Sequence, residues 1–109
     1  MEKLFRKKIE LFVEEIRPPK HLRNKIDISF EFENNTLIIY QENQDWKDES
    51  KLIPMEAVKA RFIKSKSIWK IYWMRSTLKW ELYNPHSEAD SLEKVFEIIK
   101  EDEFGCFFG

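Results

Sequence analysis

The chain has 109 residues, a length that suits one domain and is short for two. It carries 19 basic and 20 acidic residues, a formal net charge of -1, which excludes a globally basic nucleic-acid protein and an acidic-tail protein. Apolar residues make up 42% and aromatic residues 15%, which is too much core-forming material for a disordered chain. With only 2 glycines, the sequence also excludes a Gly-rich phosphate-binding loop.

The N-terminal segment and the cysteine content predict a cytoplasmic protein. Residues 1–8 are mostly charged, and Glu10, Glu14 and Glu15 interrupt the apolar residues that follow, so no signal-peptide core is recognisable. No stretch approaches the roughly 18 apolar residues of a membrane-spanning helix, so we expect no membrane partner. The single cysteine, Cys106, permits neither an intramolecular disulfide nor a cysteine pair for metal or redox chemistry.

The first predicted element is an amphipathic helix that ends near Ile16. Its apolar residues recur at helical spacing (Phe5, Ile9, Phe12, Val13 and Ile16) and charged residues fill the opposite side. Pro18 disfavours the helical conformation at Arg17, so the helix should stop there.

A β-hairpin follows over residues 26–42. Residues 26–33 alternate strictly between apolar and polar, which indicates a strand with one buried face. Asn34-Asn35 forms a suitable two-residue turn because asparagine tolerates positive φ. That turn sets a register in which Phe32 faces Leu37 and Phe30 faces Ile39.

Residues 43–56 lack a clean period and are interpreted as a long loop. A loop of this length in a small domain indicates either a functional element or a wrong assignment of the segment. It contains Trp46, which is a candidate contact for a ligand or, alternatively, a lid on the core.

Three further strands are predicted between residues 58 and 82, with turns at 65–67 and at Ser76-Thr77. If Ser76-Thr77 is a two-residue turn, Trp73 lies directly opposite Trp80. We therefore expect the indoles of Trp69, Trp73 and Trp80 to face the core.

The chain ends with a second helix and an aromatic tail. Leu92, Val95, Phe96 and Ile99 give the helix its apolar side, and Asp90 with Glu93 resembles a capping box at its start. Phe104, Phe107 and Phe108 are costly to leave in water, so we expect the tail to dock on its own domain. The element order predicts a single α+β domain over residues 1–109, with a mainly antiparallel sheet of about five strands and one helix at each terminus.

The charge is distributed unevenly along the chain. Residues 57–80 contain seven basic residues and no acidic residue. With the indoles turned inward, cations and a tyrosine would share the outer face of the sheet; the candidate anion or nucleic-acid surface comprises Lys59, Arg61, Lys70, Tyr72, Arg75 and Lys79. The alternative is that these cations pair internally with acidic strand residues such as Glu31, Glu33 and Glu42.

The sequence contains no recognisable catalytic, metal or cofactor site. His86, Glu88 and Asp90 match no standard metal-ligand spacing, and their place before a helix favours acidic residues for another reason. Cys106 lies in an aromatic tail, where a cysteine is usually inert packing. We therefore expect no cofactor and favour a protein that is not an enzyme, with an unrecognised site near 43–56 as the alternative.

Several short segments resemble a bacterial family catalogued as domain of unknown function 3024. The segments are Trp69-Lys70-Ile71-Tyr72-Trp73-Met74-Arg75, Lys79-Trp80 with Tyr83, Arg17-Pro18, Glu42, Lys59 with Arg61-Phe62, and the closing Gly105-Cys106-Phe107-Phe108-Gly109. The sequence departs from the family pattern at Asn43-Gln44, where Arg-Pro is expected, and at Phe107-Phe108, where a Trp is expected. The resemblance implies no activity.

The functional expectation is a small non-catalytic binding module. Protein interaction or self-association through the outer sheet face ranks first, because that face also holds apolar residues such as Ile38 and Met74. Weak binding of single-stranded nucleic acid by residues 57–80 is the alternative.

Overall fold

The computed structural model describes residues 2–102 and 105–108. Two α-helices and six strands occur in the order α1 (Glu2–Ile16), β1 (Ile26–Glu33), β2 (Thr36–Gln44), β3 (Leu52–Ile63), β4 (Ile68–Met74), β5 (Trp80–Leu82), β6 (Glu88–Ala89) and α2 (Leu92–Glu101). Single turns of 3-10 helix precede β1 and β6, at Lys20–Leu22 and Asn84–His86. The strands form one antiparallel sheet in the order β1-β2-β3-β4-β5, and the short β6 also pairs with β4. The predicted α+β architecture is confirmed.

Both helices occur in the sequence segments where the apolar periodicity predicts them. α1 ends at Ile16, next to the Arg-Pro pair, as predicted. α2 begins one residue later than the predicted capping box implies. Its N-cap is Ser91, whose hydroxyl accepts a hydrogen bond from the Lys94 N–H at 3.1 Å, and Asp90 is not the cap.

The first hairpin has the predicted turn and register. Asn34 and Asn35 both adopt positive φ, 50° and 59°, as a type I′ turn requires. Phe32 pairs with Leu37 and Phe30 pairs with Ile39. The local sequence therefore determined which face of β1 and β2 is buried.

The predicted loop over residues 43–56 is wrong for half of its length. β2 continues to Gln44 and β3 begins at Leu52, so only residues 45–51 connect them. The alternation in β3 is broken by a bulge at Ala57, which leaves Ala57 and Val58 both buried. Pro54 is accommodated because β4 pairs only with residues 58–63, so this part of β3 is an edge.

The predicted pairing of β4 with β5 is also wrong, by one residue. Met74 pairs with Trp80 and Tyr72 pairs with Leu82, so Trp73 does not face Trp80. The turn contains three residues, 76–78, and Leu78 adopts the left-handed conformation with φ 63°. Ser-Thr does not readily supply the two positive φ angles of a type I′ turn, and the longer turn needs only one.

The core lies between one face of the sheet and the two helices. Its fully buried members include Ile9 of α1, Ile39 of β2, Trp69 and Ile71 of β4, and Val95 of α2. Phe5 of α1 packs edge-on against Trp69, with ring centroids 5.1 Å apart. In the described part of the chain both helices pack on this inner face, so the opposite face of the sheet has no helical layer.

The aromatic tail docks on the same domain at the residues that the structure describes. Phe107 is buried, and its ring centroid lies 4.7 Å from that of Tyr83. The Asp102 carboxylate accepts the backbone N–H groups of Phe107 and Phe108, both at 3.0 Å. Phe108 is partly buried against the core, and Phe104 lies outside the described residues.

Candidate functional site

The outer side of the sheet, which we call the open face, carries a mixture of cations, aromatic rings and aliphatic side chains. The strand register and the parity of the buried residues place the following residues on it: Glu31, Ile38, Tyr40, Lys59, Arg61, Lys70, Tyr72, Met74, Trp80 and Leu82. Each of these side chains is half-buried or exposed. No helix of the described residues covers this face, so its side chains are accessible to a ligand.

The centre of the open face is a lysine that lies over two rings. Lys59 of β3 is directly opposite Tyr72 of β4, and Trp80 lies on the next strand. The Lys59 Nζ is 4.9 Å from the centroid of the Tyr72 ring and 5.7 Å from the centroid of Trp80. Both distances are within the range of a cation–π interaction.

The basic residues next to this centre form no close ion pair with a carboxylate of the described residues. Arg61 and Lys70 are cross-strand neighbours, and Lys70 lies opposite Glu88 in the register. Across residues 2–102 and 105–108, neither Arg61 nor Lys70 nor Lys59 has a carboxylate oxygen within 4.0 Å. The internal pairing of these cations with Glu31, Glu33 or Glu42 is therefore not found there.

The open face becomes acidic towards β1. Tyr40 of β2 is paired with Glu56 of β3 in the register, and Glu31 of β1 is its diagonal neighbour on the other side. Burial raises the pKa of the Tyr40 hydroxyl above its usual value, and the charges of Glu31 and Glu56 raise it further. The basic residues of the face therefore lie on residues 59–61 of β3 and on β4, and its acidic residues lie on β1 and at Glu56 near the start of β3.

Two of the predicted surface residues lie elsewhere. Arg75 has the parity of the inner face, and its Nε forms an ion pair with Glu81 Oε2 at 3.1 Å. Lys79 is exposed directly after the turn, where its carbonyl accepts a hydrogen bond from the Arg75 N–H. Lys59, Arg61, Lys70 and Tyr72 are brought together on the open face, as the strand parity indicated.

Trp80 is the residue that the sequence interpretation misplaced. It was assigned to the core, and the one-residue difference in the β4–β5 turn moves it to the open face beside Tyr72. The same difference places Tyr83 on the inner side of the sheet, where it is buried. The weak turn propensity of Ser76-Thr77 was the available signal that the register was uncertain.

Trp46 does not cover the core. It lies in the connection between β2 and β3 with 85% of its surface exposed, and the Lys47 Nζ is 5.0 Å from its ring centroid. It is not part of the open face. Its position at a hairpin tip makes it a useful exposed tryptophan for comparison with Trp80.

The inner side of the domain has cavities whose described walls include few groups suited to catalysis or metal binding. One, of about 520 Å³, is walled mainly by aliphatic side chains of α1, β1 and α2 together with Phe108, and Trp46 does not line it. Burial raises the pKa of the Cys106 thiol, and the nearby Asp102 carboxylate raises it further, which disfavours the nucleophilic thiolate. No three His, Cys, Asp or Glu side chains gather to hold a metal ion in the described ranges.

Comparisons with known proteins identify the family and nothing more specific. No helix in the described ranges has the length and apolar character needed to cross a membrane. The sequence matches none of the curated proteins or solved structures compared with it. A family match spans residues 1–109, the whole sequence, and the chain thus belongs to the family described as Domain of unknown function (DUF3024).

Proposed function

We propose that this protein is a non-catalytic module that binds single-stranded nucleic acid on the open face of its sheet. One observation carries the proposal: Tyr72 and Trp80 lie side by side on that face, next to cations that have no carboxylate partner within the described residues. The sequence interpretation ranked a protein partner first. Trp80 changes the order, because it adds a second accessible ring to the basic part of the face.

The chemistry of the open face suits an unpaired strand. Aromatic rings stack on bases, at about 1–3 kcal/mol per base, and only a single strand presents base faces to them. Arg61 and Lys70 lie near the rings and would contact phosphates. The whole chain has a net charge of -1, so binding would depend on this local cluster and would be weak and salt-sensitive.

Fluorescence anisotropy with a labelled 20-nucleotide oligo-dT tests the proposal. We expect the wild-type protein to bind the single strand, and to bind a duplex of the same length less tightly. The double variant Tyr72→Ala/Trp80→Ala should lose most of the binding, because both stacking surfaces are removed. Trp46→Ala is the matched control, since Trp46 is exposed but lies off the open face. Absence of binding by the wild-type protein at low salt would refute the proposal.

Self-association through the same face is the second candidate. The observation that favours it is the bipolar charge of the face, which would let Glu31 of one copy approach Arg61 of another around aliphatic residues such as Ile38 and Leu82. Sedimentation velocity over a range of protein concentrations tests it. A dimer that Leu82→Glu dissociates would support self-association, and a monomer at every concentration would exclude it.

A cytoplasmic location, as the sequence predicts, remains part of the proposal because nucleic acid is abundant there. An enzymatic role near residues 43–56 is not proposed. Half of that segment is strand, and Trp46 at its tip is exposed to solvent and does not line the cavity described above.

A further inference from the structure

Lys59 occupies the surface that a stacking base would need. Its ammonium lies over the rings of both Tyr72 and Trp80, at 4.9 Å and 5.7 Å from the two centroids. No carboxylate oxygen lies within 4.0 Å of it in the described part of the chain, and the two rings are the cation–π partners found for it there. In the free protein, Lys59 therefore covers the two rings.

A base and an ammonium group cannot occupy the same ring face. Binding by stacking consequently requires that the Lys59 side chain move away from Tyr72 and Trp80. Its flexible stem lets the ammonium move several ångströms while it remains charged. Because each nucleotide that stacks also brings a phosphate to the face, the displaced ammonium has an anionic partner nearby.

We infer, on the basis of the proposed function, that the open face binds two consecutive nucleotides whose bases replace the Lys59 ammonium on Tyr72 and Trp80. Tyr72 and Trp80 are diagonal neighbours on paired strands, a spacing of about 7–8 Å that adjacent nucleotides can bridge. Lys59 then contacts the phosphate between the two bases. Lys59 is thus both a competitor for the rings and a ligand of the backbone, and these two roles have opposite effects on affinity.

The two roles separate in a salt titration of the variant Lys59→Thr. Losing one phosphate contact should reduce the slope of log K against log salt by about 0.7 for a single strand. Uncovering the rings should favour binding by about 2- to 5-fold, the worth of an exposed cation–π contact. We therefore expect Lys59→Thr to bind oligo-dT more weakly than wild type at 20 mM salt and more tightly at 300 mM salt.

Arg61→Thr is the matched control. Arg61 lies on the same strand two residues away, on the same face, and no cation–π contact is found for it in the described structure with an open-face ring. It should lower the slope by a similar amount but never bind more tightly than wild type. Lys59→Arg, which keeps the charge and can still stack on the rings, should restore the wild-type salt profile.

The outcomes distinguish the inference from the proposed function. If the wild-type protein binds no oligonucleotide, the proposed function fails and the inference fails with it. If the wild-type protein binds, and the affinity of Lys59→Thr falls below wild type at both salt concentrations as Arg61→Thr does, only the role of Lys59 is overturned. The role of Lys59 is supported if Lys59→Thr, but not Arg61→Thr, binds oligo-dT more weakly than wild type at 20 mM salt and more tightly at 300 mM salt.

Discussion

At the residue scale, Leu78 holds an unfavourable backbone conformation that the β4–β5 turn requires. Its φ is 63°, a region in which a Cβ atom costs about 1–2 kcal/mol. Its side chain is 77% exposed, so little apolar burial offsets this cost. The turn is nonetheless what directs Trp80 to the open face.

Replacement of Leu78 by glycine should therefore stabilise the protein. We expect Leu78→Gly to raise the free energy of unfolding by up to about 1 kcal/mol, after the greater entropy of the unfolded glycine is subtracted. Urea unfolding followed by circular dichroism measures the difference. Thr77→Gly is the control, because Thr77 has negative φ and glycine there should destabilise. Equal destabilisation by both variants would contradict the described turn.

The ion pair between Arg17 and Asp27 links the end of α1 to β1. Two nearly parallel contacts join them, from Nε to Oδ1 at 3.0 Å and from Nη2 to Oδ2 at 2.9 Å. The hydrogen bond from Arg17 lowers the pKa of the Asp27 carboxyl below its usual 3.8, and the Ile28 N–H lowers it further. Because the folded-state pKa is the lower one, the stabilisation is present above pH 3.8 and is lost as the pH falls through the folded value.

The variant Asp27→Asn should lower the free energy of unfolding at pH 7 by about 1.5–3 kcal/mol, the usual worth of hydrogen bonds to a charged group. The difference from wild type should shrink as the pH falls below 3.8, because the wild-type carboxyl also becomes neutral. Urea unfolding at pH 7 and pH 2.5 measures both values. Glu97→Gln, which changes an exposed carboxylate, should have little effect at either pH. A difference that is independent of pH would contradict the role of the Asp27 charge.

At the element scale, the outer edge of the sheet is protected. The Arg6 guanidinium of α1 donates to the Phe32 carbonyl, and the Asp27 carboxylate accepts the Ile28 N–H at 2.7 Å. Side chains thus satisfy backbone groups at both ends of β1. Protection of this kind disfavours pairing of a further strand with the β1 edge.

The C-terminal tail completes the core and should be needed for stability. Asp102 adopts the left-handed conformation and its carboxylate holds two backbone N–H groups of the tail, which places Phe107 against Tyr83. Deletion of residues 104–109 should lower the free energy of unfolding by at least the 1.5–3 kcal/mol of one buried phenylalanine side chain. Differential scanning calorimetry measures the loss. Phe107→Ala should account for most of it, and a melting temperature unchanged by the deletion would refute tail docking.

The elements could be predicted from the sequence where one local signal dominates. The apolar periodicity and Pro18 determined where α1 lies and where it ends. The Asn34-Asn35 turn determined the β1–β2 hairpin and its register. The bulge at Ala57 could not be predicted, because it depends on the pairing of β2 with β3 and interrupts the alternation that marks a strand. The three-residue turn after β4 was missed since the choice between turn lengths depends on the packing of both strands.

At the scale of the whole molecule, the sheet separates two environments. Its inner face is covered by the two helices and the tail, and its open face carries Lys59, Arg61, Tyr72 and Trp80 without a helical layer in the described structure. A nearly neutral chain thus presents a local basic surface, because the acidic residues of the open face lie mainly towards β1 and β6. Of the five basic residues of the predicted surface, Lys59, Arg61 and Lys70 lie on the open face, and Trp80 lies there although the sequence places it in the core.

The four tryptophans allow the central claim to be tested in one spectrum. Trp80 lies on the open face, Trp69 in the core and Trp46 at the β2–β3 tip, each with its own indole N–H signal. In an NMR titration with oligo-dT, we predict that the Trp80 indole signal shifts with the amide signals of β3 to β5, while those of Trp46 and Trp69 stay in place. A titration that moves Trp46 or the helices and leaves Trp80 unmoved would contradict binding on the open face.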